Sequence, residues 1–409
     1  MNAILITIGD EILNGKTVDT NSAWIATQLN ELGIQVREIK SIADENNDIV
    51  QSLNSSETAD IVITTGGLGP TKDDITVDAI CQYHNDERVF NQKMYDTMVS
   101  LFERLGVRWT SAHTRQCMLP SKAVLLENKI GTAPGLFFET GERKIFHLPG
   151  VPYEMEYIMT HHILTLLFRT VTHEVRHRTI LTAGIAESGI SEILESNGVK
   201  TPSGVKLAYL PSLASVKVRL SCYVDSVSDE QLDKTQGEIC LLLADFIYGY
   251  GDETLESVTG RMLKEKGLKV ATAESCTGGL LAHQITTVPG ASDYFIGSIV
   301  AYNNSVKKKL LEVDEDILVK HGAVSEETAV AMVRGAVKKL NADIGLAVTG
   351  IAGPGGGTIG KPVGTIWVAC GNDEKMTTKV LHLGKDRMIN VKYTVTTALN
   401  MLYKFLSTQ

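Results

Sequence analysis

Cysteine is sparse and unpatterned in this chain. Its six residues, Cys81, Cys117, Cys222, Cys240, Cys276 and Cys370, show no CxxC spacing, which speaks against a zinc site or a disulfide frame and fits reduced thiols of a cytoplasmic protein. Positive charge is also short. With 39 Lys and Arg against 48 Asp and Glu the net charge is −9 and the pI about 5.6, so no broad nucleic-acid surface is expected, because phosphate binding draws on clustered cations. No run of about 18 apolar residues occurs, so no membrane span is expected. The chain opens directly as a strand, without a basic-then-apolar leader. What is present is length and apolar content: 409 residues, 43% hydrophobic, enough for two or three domains with substantial cores.

The most informative stretch is Lys269-Val270-Ala271-Thr272-Ala273-Glu274-Ser275-Cys276-Thr277-Gly278-Gly279. It reads as an apolar strand, a tight polar turn and a helix start. The two glycines allow a ligand close to the backbone, and the free N–H groups of a helix start favour negative charge. Such a turn holds a phosphate, or an oxyanion beside a nucleophile. It is equally the form of an ordinary serine-capped connection. Further on, Ala347-Val348-Thr349-Gly350-Ile351-Ala352-Gly353-Pro354 again leads from a strand into a glycine-dense loop, and two such loops in one parallel sheet meet at its C-terminal edge. Between them Tyr302 and Lys307 lie five residues apart, and Arg387 precedes a helix marked by apolar Val391, Val395, Leu399, Leu402 and Leu406. Taken singly, a tyrosine is usually packing and a lysine or arginine a solvated face.

Together, the Ala-Glu-Ser-Cys-Thr-Gly-Gly turn, Tyr302 with Lys307, Gly-Ala-Val-Ser at 322–325 and Thr-Gly-Ile-Ala-Gly-Pro at 349–354 resemble the CinA C-terminal domain over roughly residues 255–409. That family contains the nicotinamide mononucleotide amidohydrolases, which release ammonia and leave nicotinic acid mononucleotide. The resemblance implies Ser275 as nucleophile, with Tyr302 and Lys307 as its activating pair. It implies that Thr277, Gly278 and Gly279, with Thr349, Gly350, Gly353 and Arg387, hold the nucleotide, with no cofactor. The chemistry agrees: amide hydrolysis needs an activated nucleophile, donors for the oxyanion and a proton for ammonia. A partly desolvated lysine can act as base, with a tyrosine relaying the proton. No histidine falls among these motifs, so a Ser-His-Asp triad is not expected. Cys276 ranks second as nucleophile, its side chain expected to point away from that of Ser275.

In the N-terminal part, Ala3-Ile4-Leu5-Ile6-Thr7-Ile8 is a short strand ended by Gly9-Asp10-Glu11, and Ile25, Leu29 and Leu32 mark a helix after Asp19. A second strand, Asp60 to Thr65, runs into Gly66-Gly67-Leu68-Gly69-Pro70-Thr71-Lys72-Asp73-Asp74. The βαβ order predicts a parallel, doubly wound α/β sheet. The carboxylates Asp10, Glu11, Asp73 and Asp74 beside this loop either hold a divalent metal acting on a phosphate or cap helices. Oxygen ligands favour Mg²⁺ or Mn²⁺, with other first-row ions open. These motifs, with Leu148-Pro149-Gly150-Val151-Pro152, are similar to the molybdopterin-binding fold domain of full-length CinA over about residues 1–170. The resemblance implies metal-dependent hydrolysis of ADP-ribose to AMP and ribose 5-phosphate, with Gly66, Gly67 and Gly69 at the phosphates. A molybdopterin-binding module is the alternative it leaves open.

Residues 171–250 have the texture of a small α+β module, with strands near 178–184 and 216–221 and helices at 188–195 and 229–246. The corresponding part of CinA proteins resembles a KH domain. Seven Lys or Arg against ten Asp or Glu, and no Gly-x-x-Gly loop at a strand–helix junction, speak against RNA binding. The segment reads as a spacer and dimerisation element, with 249–253 as a hinge into the last domain, 251–409. The expectation is a cytoplasmic homodimer recycling nicotinamide mononucleotide and ADP-ribose, with no nucleic-acid or membrane partner. Its rival is a non-catalytic adaptor in contact with recombination proteins, which the family's competence and damage-induction names imply.

Overall fold

In the N-terminal part the short β-branched runs form the centre of a buried sheet. The computed structural model describes every residue except 70–74, 107, 171–174, 224–226 and 409. Its first sheet has the strand order Gln35–Ile42, Asn2–Ile8, Ile61–Thr65, Arg143–Leu148, Gly135–Thr140 and Val124–Leu126. The first three pairings are parallel and the last two antiparallel. The sheet is therefore mixed. The hairpin that ends it joins neighbours by a tight turn, which only antiparallel strands permit. One apolar layer packs on each face, around Ile4, Ile6 and Val62 on one side and Leu5, Ile61 and Phe146 on the other.

Register places Thr7 beside Thr65 and Thr65 beside Leu148, so the turns at Gly9, Gly66 and Gly150 leave the same edge. Local chemistry holds them there. Asp19 caps the helix Thr20–Glu31, accepting from the Ser22 N–H at 2.9 Å and from Thr7 Oγ1 at 2.6 Å, which ties the helix start to the strand end. Gly66 has φ +112°, and a Cβ there would lie 2.1 Å from the Ile8 carbonyl oxygen. No other residue fits.

By contacts the chain divides into two compact units, Met1–Arg176 with Tyr223–Asp225, and His177–Cys222 with Ser226–Gln409. Within the second, a four-stranded sheet in the order Lys206–Ser212, Ser215–Tyr223, Val175–Ala183 and Ile247–Tyr250 carries the helices Glu187–Ser196 and Asp229–Leu242. Leu181, Ala183 and Tyr248 of this module share one apolar cluster with Leu255, Val258 and Leu399. The segment expected to be a hinge is tied down instead. The Tyr250 N–H donates to Glu253 Oε2 at 3.1 Å, and Glu253 pairs with Arg261.

The last sheet runs Phe295–Val300, Val270–Glu274, Ile344–Gly350, Thr365–Gly371 and Met376–His382. Its first three strands are parallel and the rest antiparallel. Glu274 sits beside Val300 and Val348, so the loops after these strands share one edge, as the two glycine loops predict. Glu274 is fully buried. Its Oε2 accepts from the Gly279 and Leu281 N–H groups at 3.0 Å, and its Oε1 from Ala282 N–H at 2.8 Å. The strand thus ends in the carboxylate that neutralises the start of the next helix, Leu280–Thr286.

Two measurements test this packing. Glu274→Ala strands three N–H groups, that of Leu281 fully buried, and is expected to cost about 3 kcal/mol, since hydrogen bonds to charged groups are individually worth about 1.5–3 kcal/mol; a lowered urea midpoint of the second unit reads it, and Glu274→Gln, which keeps one acceptor, loses less. In the first unit, His147 is fully buried with Nδ1 2.8 Å from Thr64 Oγ1, and His84 stacks on Phe138 at 3.7 Å. Burial pushes His84 down to about 4 and holds His147 well below its ordinary value. In the unfolded chain both titrate near 6.5, so the unfolded state binds more protons below that pH. Stability is full above pH about 6.5 and falls as the pH drops towards about 4. Denaturant unfolding over this range shows the loss, and His84→Phe flattens it.

Candidate active site and N-terminal pocket

The C-terminal site is built on the shared edge of the last sheet. Ser275 follows the Val270–Glu274 strand, and its own N–H donates to the Val348 carbonyl at 2.9 Å. That bond sets the serine beside the second glycine loop. Lys307 comes from the helix Asn304–Leu311, which Asn303 caps through the Ser305 N–H at 2.9 Å. Its neighbours Lys308 and Lys309 are exposed to solvent or half so, whereas Lys307 is 1% exposed. Its Nζ lies 2.9 Å from Ser275 Oγ and 2.7 Å from the Ala301 carbonyl oxygen. Burial lowers the lysine's pKa, and the nearby Cys276 opposes this weakly. A neutral amine in this position donates to Ala301 and accepts the serine proton.

A cavity of about 260 Å³ opens over this pair. Thr349, Gly350 and Gly353 line it, together with Arg387. Thr349 Oγ1 donates to the Ala323 carbonyl at 2.6 Å, which ties the 322–325 stretch to the same wall. Arg387 opens the helix Arg387–Ser407; its Nη1 donates to the Gly353 carbonyl at 3.0 Å and its Nη2 to the Tyr302 hydroxyl at 3.1 Å. Tyr302 is 61% exposed and its hydroxyl is engaged by Arg387. The structure therefore brings Lys307 to Ser275, and pairs the Tyr302 hydroxyl with Arg387 rather than with Ser275.

Thr277, Gly278 and Gly279 are not on the cavity wall. The Gly279, Leu281 and Ala282 amides, the groups a phosphate would use, already bind that carboxylate, and Gly279, at φ +104°, is the helix cap. The helix start is filled by the protein's own anion. Cys276 belongs to the apolar core and also reaches the cavity wall; burial pushes its thiol up to about 12, which keeps it protonated and a poor nucleophile.

Two residues escaped the sequence reading. Asn390 Nδ2 donates to the carbonyls of Ala352 at 2.9 Å and Gly384 at 2.8 Å, fixing the glycine loop to the last helix. The other is Glu274 itself. A carboxylate ending an otherwise apolar buried strand was the available signal; an asparagine inside a helix carries none.

The N-terminal pocket, about 550 Å³, lies on the edge of the first sheet and is lined by Gly66, Gly67 and Gly69, and by Glu11. Asp10 is exposed and off its wall, accepting weakly from the Asp44 N–H at 3.4 Å. Asp73 and Asp74 lie outside the described residues. Among the described residues no three His, Cys, Asp or Glu side chains are grouped to hold a metal ion, so those residues alone do not make the expected cation site. Among them too, no helix is long and apolar enough to cross a membrane.

Comparison with known proteins agrees with this division. Residues 252–406 match the family described as CinA C-terminal domain, and residues 4–169 the family described as "Probable molybdopterin binding domain". A CinA-like protein of Cytophaga hutchinsonii is 41% identical over 408 residues, covering 99% of this chain and 98% of its own. One from Salinibacter ruber is 38% identical over 411 residues, with 100% of both chains covered. Among solved structures, a CinA protein of Thermoplasma acidophilum is 34% identical over 41% of this chain and 97% of its own, at a TM-score of 0.37. Full-length relatives at this identity place the whole sequence in one group: the chain belongs to the CinA family.

Proposed function

We propose that the C-terminal site hydrolyses the carboxamide of nicotinamide mononucleotide, giving nicotinic acid mononucleotide and ammonia. The carrying observation is the 2.9 Å contact between Lys307 Nζ and Ser275 Oγ, both buried beneath an open cavity. Neutral Lys307 takes the serine proton as Oγ bonds to the carboxamide carbon. The tetrahedral oxyanion collapses, the C–N bond breaks, and the lysine proton leaves with the amine as ammonia. Water then enters by the same base and releases the acid. On the cavity wall Arg387, an always-charged fork, suits the 5′-phosphate, with Tyr302 held beside it.

For the N-terminal pocket we infer a phosphorylated ligand, and hydrolysis of ADP-ribose to AMP and ribose 5-phosphate as the reaction. What supports this is the glycine turn at 66–69 on the edge of the sheet, a backbone cradle open to a phosphate. Dependence on a divalent ion belongs to the same reading.

Ammonia release from nicotinamide mononucleotide, without added metal, tests the first activity. Ser275→Ala and Lys307→Met are each expected to lower kcat by about a hundredfold or more. Because the base must be neutral, activity rises with pH through the depressed pKa of Lys307 and falls below it. Equal activity in wild type and Lys307→Met defeats the proposal. AMP formation from ADP-ribose, expected with Mg²⁺ or Mn²⁺ and abolished by EDTA, tests the second.

A further inference from the structure

The N-terminal pocket carries polar side chains that the fold leaves without partners. Thr65, Asn21 and Gln116 all line it, and all are more than nine-tenths buried. Asn21 Nδ2 donates to the Gly150 carbonyl at 2.8 Å, which orients the amide and leaves Oδ1 with no partner. Gln116 Nε2 reaches Thr132 Oγ1 only at 3.5 Å, and its Oε1 is unpartnered; so is Thr65 Oγ1. Three buried oxygens without partners around one cavity are costly unless something completes them.

The charge on the wall says what kind of group does so. Glu11, Asp19, Asp44 and Glu154 line the pocket, and among the described lining residues there is no Lys, Arg or His. Asp19 and Glu154 are occupied by Ser22 and Thr7, and by Asn128 at 2.5 Å. Among the described residues the wall is thus rich in acceptors and poor in cations. It disfavours a bare phosphate and favours a ligand that brings its own hydrogen-bond donors.

We infer that Thr65, Gln116 and Asn21 are specificity residues, which read the hydroxyl or amino donors of a phosphorylated ligand while the glycine turn holds its phosphate. This rests on the phosphate-ligand reading of the N-terminal pocket. A sugar's vicinal hydroxyls and the amino group of a heterocycle supply the same donor chemistry.

The test is calorimetric titration of the full chain, carrying Arg387→Ala to silence the C-terminal cavity, with ADP-ribose, ribose 5-phosphate and inorganic pyrophosphate in EDTA, where no turnover is expected. ADP-ribose is expected to bind well above pyrophosphate. Thr65→Val and Gln116→Met each cut that advantage about tenfold, the scale of one unpaired hydrogen bond, and leave pyrophosphate binding unchanged. Neither lowers the thermal midpoint of the free protein appreciably, because Thr65 Oγ1 and Gln116 Oε1 have no partner in it and Gln116 Nε2 has only the long 3.5 Å contact with Thr132. Ribose 5-phosphate retaining the variant-sensitive advantage assigns the donors to the sugar, and its loss assigns them to the heterocycle. If pyrophosphate binds as tightly as ADP-ribose, or the variants bind ADP-ribose like the parent, the specificity inference is overturned while the phosphate reading stands. If no phosphate compound binds, both fall.

Discussion

A primary amine withdrawn from water beside a hydroxyl is the constraint on which the C-terminal unit depends. Lys307 is almost wholly buried, and its hydrogen-bond partners are the Ser275 hydroxyl and one backbone carbonyl. Neither neutralises an ammonium, so the environment favours the uncharged amine. The same desolvation that would destabilise a charged lysine lowers its pKa. Several elements have to agree for this: the Asn303 cap that aims the helix inward, the strand end that presents Ser275, and the bond from the Ser275 amide to Val348.

Glu274, the residue before Ser275, is also buried beside the site. Its carboxylate has three amide donors from the start of the next helix, so its buried acceptors are satisfied. With those amides engaged, the cavity wall is left to the 350–356 loop, Arg387 and Tyr302, together with Ser275 and Lys307.

The N-terminal unit repeats the edge-of-sheet plan with a different electrostatic outcome. Its glycine turn is forced by close approach to Ile8, while its carboxylates are partly spent on capping and on holding loops, as Asp19 and Glu154 show. Asp19 and Glu154 therefore serve the fold itself.

Sequence alone determined the strands, the glycine turns and their meeting at sheet edges, because β-rich apolar runs ending in glycine carry their geometry locally. It also singled out Ser275, Lys307 and Arg387, through a pattern of residue types in fixed order. Tertiary structure decided which of them touch. Lys307 and Lys308 are adjacent and chemically identical, yet helix phase buries one and exposes the other. Tyr302 went to Arg387, and the amides of 279–282 went to Glu274, because hydrogen-bonding groups on a folded edge compete for the nearest charge. Asn390, remote in sequence from the loop it holds, became visible only there. Such choices depend on three-dimensional neighbours and on desolvation, and neither is written in the local order of residues.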